Sequence, residues 1–271
     1  MNRRLFCKAA LASLCARVAA GCGGDNVSPT PLPMTYHHPM RVCDSADFDG
    51  TNDYMTRGAG LTGAADSKTG IISAWVRLDS GNGIDRILWP ASNGAELLWN
   101  AANRFQVILK NSAGTELASP STSVYAAGVT WRHVLASWNL ATPEINIYVN
   151  DALDGTQGPT DDTVDYTVAD WGVGATTAAA EKLNGCIADL YFAPGQYLDF
   201  SLVVNRRKFI SASGKPVHLG TTGALPTGTA PLVYHHLDDG EAVANFATNR
   251  GTGGDFAITG TLDTGSTSPS D

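Results

Sequence analysis

The chain has 271 residues, 43% of them hydrophobic and only 16% charged, with 29 glycines. That composition describes a turn-rich globular chain able to bury a large core, and it argues against intrinsic disorder. Acids outnumber bases 26 to 18, and the only basic run is Arg206-Arg207-Lys208, so nothing in the charge pattern suits nucleic acid. Only five acids are Glu (Glu96, Glu116, Glu144, Glu181 and Glu241). The Asp excess fits turns and caps, and it admits calcium as a cofactor.

Taken in chain order, Asn2-Arg3-Arg4 gives a positive start and Ala9 to Ala16 an apolar run. Val18-Ala19-Ala20-Gly21-Cys22 is similar to a bacterial lipoprotein cleavage site, with Cys22 as the lipidation point and Val27 to Pro33 as a tether. Lys8 and Arg17 interrupt that pattern, and the alternative is an uncleaved arm docking on a neighbouring subunit. A membrane partner follows only if Cys22 carries lipid. Residues 1–40 are therefore leader or arm, 41–262 one domain, and 263–271 a free polar tail.

From residue 42 onward short apolar alternations alternate with Gly, Asn, Asp and Pro clusters, the spacing of an all-β sandwich. Gly70 to Leu78 places Ile72, Ala74, Val76 and Leu78 on one face. Strands are also expected at 104–109, 131–138, 144–149 and 183–192, with a hairpin at Asn150-Asp151. One short helix is expected over Phe200 to Phe209, with its basic residues complementing the helix dipole in the last turn. Strands follow at 231–236 and 255–260. Cys43 and Cys186 read either as two small buried hydrophobes or as a disulfide.

Several segments resemble the laminin-G-like, concanavalin A-like jelly roll. Asp47-Phe48-Asp49-Gly50-Thr51-Asn52-Asp53-Tyr54 is similar to its opening strand and turn, and Ile72-Ser73-Ala74-Trp75-Val76 to its second strand. Trp131-Arg132-His133-Val134 resembles its W-x-H-V strand. Ile147-Tyr148-Val149-Asn150-Asp151 resembles its Y-V-N-G hairpin, with Asp151 in the Gly place. Gly185-Cys186-Ile187-Ala188-Asp189-Leu190-Tyr191 is similar to the closing G-x-I-x-D strand. Asn205 to Phe209, Gly214-Lys215-Pro216, Pro226-Thr227-Gly228 and Asn249 to Gly254 resemble an extension, about 196–262, on such domains in phage and prophage proteins. The resemblance implies a two-sheet antiparallel sandwich and first and closing strands close enough for Cys43 and Cys186 to meet.

Catalytic constellations are scarce. Retaining glycosidases place two carboxylates about 5–5.5 Å apart, and the five scattered Glu cannot assemble such a pair locally. Asp161-Asp162 and Asp238-Asp239 would diverge on a strand and read as solvated loop charges. No G-x-S-x-G occurs, His37-His38 lies in the Pro-rich arm, His235-His236 would point to opposite faces, and His133 reads as structural. Asp49, Asn52, Asp53 and Asp189 could bring oxygens together around calcium, or simply make a turn. Trp75 and Trp131 match core positions, leaving Trp89, Trp99, Trp138 and Trp171 as candidates for a sugar-binding face. The expectation is a non-enzymatic recognition or assembly module, foremost a phage virion structural or decoration protein. The alternative is an exported carbohydrate-binding lipoprotein, and a glycoside hydrolase ranks last. Its partners would be virion proteins or surface glycans, met at a virion or cell surface.

Overall fold

The computed structural model describes residues 43–81 and 83–271. The leader, the tether and the Cys22 lipidation site lie outside the described residues. Seventeen short strands follow in order: β1 (Cys43–Asp44), β2 (Ala46–Asp49), β3 (Tyr54–Thr56), β4 (Thr69–Leu78), β5 (Asp85–Pro90), β6 (Gly94–Trp99), β7 (Phe105–Lys110), β8 (Glu116–Ala118), β9 (Arg132–Asn139), β10 (Ile145–Val149), β11 (Ala152–Gln157), β12 (Trp171–Val173), β13 (Asn184–Pro194), β14 (Val233–His235), β15 (Leu237–Asp238), β16 (Ala257–Thr259) and β17 (Asp263–Thr264). The larger sheet runs β11-β10-β9-β4-β13-β2-β17, with β14 also pairing β13, and the smaller runs β16-β3-β12-β5-β6-β7-β8. Their pairing is antiparallel, as in β4 with β9 and β6 with β7. The two stacked sheets form the jelly-roll sandwich that the alternating segments predict.

Strand periodicity decides what fills the space between the sheets. Ile72, Ala74, Val76 and Leu78 point inward together and meet Leu97, Val107 and Trp171 from the smaller sheet. The opposite face of the larger sheet is covered too. Ile71, Leu135, Tyr148 and Tyr191 pack beneath Phe200, Phe209, Val217 and Leu219 of the C-terminal extension. Tyr191 and Phe209 meet edge to face at 5.3 Å. The extension is thus a third layer, and β4 and β13 are buried on both faces.

The expected ten-residue helix shrinks to α1 (Val203–Arg206). Val203 and Val204 are β-branched and exposed, so no apolar stripe holds a longer helix to the core. Arg206 falls in the helix's last turn, Arg206 and Arg207 each reach an Asp151 carboxylate oxygen at 2.7 Å, and Lys208 Nζ donates to the Pro226 carbonyl. Asn150 and Asp151 both have positive φ (49° and 71°), the geometry of a tight two-residue hairpin turn joining β10 to β11.

Two further expectations are corrected. Residues 263–271 are not a free tail: β17 pairs with β2, Ser45 Oγ donates to the Thr267 carbonyl, and Arg77 donates to the Ser266 and Thr267 hydroxyls. The Cys43–Cys186 disulfide is not formed. Cys186 is a free, buried thiol opposite Asp47, whereas Cys43 stands opposite Asp238 in a separate two-strand ladder. Among the described residues no helix is long and apolar enough to cross a membrane.

Candidate functional site

Of the four tryptophans expected at a sugar-binding face, three are core. Trp99, Trp138 and Trp171 have at most 1% exposure. The Trp138 indole N–H donates to Tyr166 Oη at 2.8 Å, and Tyr166 in turn donates to the Thr69 carbonyl. A side chain at Gly70 would collide with that indole, which explains the glycine. Trp171 packs on Phe192 at 5.3 Å. Trp89 alone stays half-buried.

A β-bulge in β5 sets up the surroundings of Trp89. The register of β5 against β6 shifts between Arg86 and Leu88, so Ile87 and Leu88 are both buried in the core. Trp89 stands opposite Gly172, whose neighbours Trp171 and Val173 point inward. Arg86 and Trp89, three positions apart, therefore share the outer face of the smaller sheet. A regular strand would have put them on opposite faces.

Arg86 lies over the Trp89 ring at 4.1 Å. Its guanidinium donates to Glu96 on β6 and, at 2.6 Å, to Glu181 from the loop ahead of β13. Lys110 Nζ on β7 stands 3.6 Å from the other Glu96 oxygen. Burial raises the Glu96 pKa, against the two cations that favour its charged form. The result is a half-buried indole in a rigid frame of two cations and two carboxylates with no net charge. Such a frame offers an aromatic platform to apolar C–H faces, beside charged hydrogen-bonding groups for hydroxyls. It also shows what local spacing hides: Glu96 and Glu181 meet on one guanidinium although 85 residues separate them in sequence.

Of the residues expected at calcium, Asp49, Asn52 and Asp53 share one turn, and Asp189 stands apart from them on β13. Asp49 Oδ1 accepts the N–H groups of Thr51, Asn52 and Asp53, and burial is outweighed by these bonds, which hold its pKa low. Asp53 Oδ1 accepts the Thr261 N–H. Asp189 is a buried residue of β13 with φ of 49°, at the register shift against β4. Among the described residues the only three close ligand groups of the His, Cys, Asp and Glu type are Asp47, Asp79 and Cys186. Arg77 already occupies that cluster by donating twice to Asp79. Burial and the Asp47 carboxylate push the Cys186 thiol up to about 12.

The structure also assembles a Ser–His pair. Ser73 Oγ and His133 Nε2 are 2.9 Å apart on the outer face of the larger sheet. Both are almost wholly buried, His133 Nδ1 has no hydrogen-bond partner, and burial lowers the imidazole to about 3. The pair lacks the access and the third group that a hydrolytic triad requires. His133 is structural, stacked on Trp75 at 4.8 Å.

Residues 49–194 match the sequence profile of the concanavalin A-like lectin/glucanases superfamily, laminin-G type. The chain belongs to this superfamily. No curated protein matches it. This concanavalin A-like fold is shared with a Bacteroides ovatus protein assigned to carbohydrate binding, at 12% identity and a TM-score of 0.58. That alignment covers 84% of this chain and 60% of the other, so the chain spans less than two thirds of the Bacteroides protein. A heptameric pentraxin of Limulus polyphemus aligns at 12% identity and a TM-score of 0.45, over 61% of this chain and 82% of that one. The receptor-binding domain of a mosaic botulinum neurotoxin, serotype C/D, aligns at 13% identity and 0.44, over 61% and 42%.

Proposed function

We propose that this concanavalin A-like chain is a non-catalytic recognition module that holds glycans against Trp89 on the outer face of the seven-stranded sheet. The observation that carries the reading is the framed indole: the other three candidates are sealed in the core, while Trp89 remains accessible beside Arg86, Glu96, Lys110 and Glu181. The balanced charge of the frame favours neutral sugars over polyanions. Arg86 holds both Glu96 and Glu181, which suits a fixed binding surface better than an acid and a nucleophile that must exchange protons. The Bacteroides ovatus protein of the same fold is assigned to the same ligand class. The module works at a cell or virion surface, where such glycans are met.

A glycan array probed with the wild type and with Trp89→Ala tests this. The variant should lose about tenfold or more in apparent affinity, the equivalent of about 1.4 kcal/mol. Unchanged hits in the variant, or no hits with the wild type, reject the reading.

A second reading, a structural or decoration protein of a phage particle, is favoured by a different observation. Leu202, Val203 and Val204 are consecutive and 50–64% exposed on the extension, and Leu225 is 51% exposed. Apolar side chains in such a row suit packing against another protein. Absence of the chain from purified particles removes this reading.

A further inference from the structure

The outer face of the larger sheet carries a separate concavity of about 310 Å³, lined by Trp75, Trp131, Asn150, Lys215, Ser268 and Asp271 among others. It belongs to the opposite sheet from Trp89, and none of these residues takes part in the Trp89 frame. Trp75 comes from β4 and Trp131 from the residue preceding β9; Asn150 comes from the β10–β11 turn, Lys215 from the extension, and Ser268 and Asp271 from the C-terminal segment. We propose that this cleft is a second binding site, for a single neutral pyranose residue.

Four features lead to that ligand. First, the walls are preorganised. The Trp75 ring is fixed by its stack on His133, and His133 is fixed by Ser73 and by Asn150, whose Oδ1 accepts the His133 N–H at 2.8 Å. The Trp131 indole N–H donates to Thr267 Oγ1 at 3.1 Å, tying that wall to the C-terminal segment. Second, the half-buried Trp131 indole, backed by the buried Trp75, supplies the flat apolar surface that the C–H face of a sugar ring needs. Third, the polar groups are of the types that pair with hydroxyls. Asn150 spends its Oδ1 on the backbone and keeps its amide N–H groups, Lys215 Nζ donates to the Asp271 carbonyl with further N–H groups to give, and the Asp271 carboxylate accepts the Ser268 N–H. The one cation of the lining, Lys215, is already engaged by Asp271, which disfavours an anionic ligand. Fourth, the volume lies at the small end for ligand pockets, enough for a ring or two and too small for a peptide segment or an extended chain.

Saturation-transfer NMR with a panel of neutral methyl pyranosides, on the full chain, tests the cleft. The wild type should transfer saturation to at least one pyranoside. That signal should fall at least severalfold in Trp131→Ala and Lys215→Met. Lys215→Met keeps the test valid should Trp131→Ala disturb packing, because Lys215 is a half-buried side chain of a turn. A signal lost in Trp89→Ala but intact in both cleft variants overturns the cleft and leaves the Trp89 reading standing. A signal that persists in Trp89→Ala and falls in both cleft variants supports the cleft, and the glycan array decides the Trp89 reading independently. No transfer to any pyranoside from the wild type overturns the cleft.

Discussion

Asp85 shows how one side chain can carry a cost the rest of the fold must cover. It is fully buried, its Oδ1 accepts the Asn184 N–H at 3.3 Å, and its Oδ2 has no partner. Burial pushes its pKa up from 3.8 to about 6. The folded state therefore penalises the ionised form: the penalty is full above about pH 6 and vanishes as pH falls to the unfolded value. Asp85→Asn should stabilise the chain by on the order of 2 kcal/mol at alkaline pH and by almost nothing in strong acid. Urea denaturation at both extremes measures it, and a gain independent of pH contradicts the assignment. His133 and His235 act with the opposite sign. Both are buried and lowered to about 3 and 4, so their contribution is intact above pH 6.5 and lost as pH falls toward those values. None of this is legible from residue type. Trp89 and Trp99 look alike in sequence, and only the bulge in β5 turns the first outward.

The β10–β11 hairpin and the extension form one mechanical unit through Asp151. An Asp at φ 71° is strained relative to glycine, yet it gains ion pairs with Arg206 and Arg207, and Arg206 also lies over the Tyr148 ring at 4.7 Å. Both Asp151→Gly and Asp151→Ala remove the pairs and should cost about 2 kcal/mol. The alanine variant should be worse by about another 1 kcal/mol, because Cβ resists positive φ. Limited proteolysis within residues 196–230 should speed up in both. Wild-type stability in Asp151→Ala rules the staple out. The same scale shows which elements a sequence declares. β7 alternates cleanly, β4, β9 and β10 keep an apolar residue at every second position facing the core, and the Asn150-Asp151 turn is written in its residues. β5 and β6 are near-continuous buried runs, so period-2 reading passes over them. The helix over 200–209 fails for a related reason: Phe200 and Phe209 are anchored on Tyr191 and its neighbours by tertiary packing, while Ser201 to Val204 between them face solvent.

At the scale of the molecule, the extension is structural and not an accessory. The residues matching the superfamily end at 194, yet β14, β16 and β17 complete both sheets and the third layer seals the outer face of the larger one. A fragment covering residues 43–194 leaves Ile71, Leu135, Tyr148 and Tyr191 bare. It should bind a hydrophobic dye strongly and aggregate on size exclusion; a monodisperse, dye-silent fragment refutes that view. Long sequence separation also explains why the candidate sites are harder to foresee than the fold. Arg86 and Glu181 are 95 residues apart, and Trp131 reaches Thr267 across 136. Sheet pairing, not local spacing, brings them together. The same pairing has a practical corollary. Ser45 hydrogen-bonds Gly265 and Thr267, so the opening and closing segments of the domain lie side by side. A short bridge could splice them, with the chain reopened at the exposed Ser112–Ala113 tip of the β7–β8 turn. Such a circular permutant should refold with an unchanged circular dichroism spectrum, giving a scaffold whose ends emerge far along the smaller sheet.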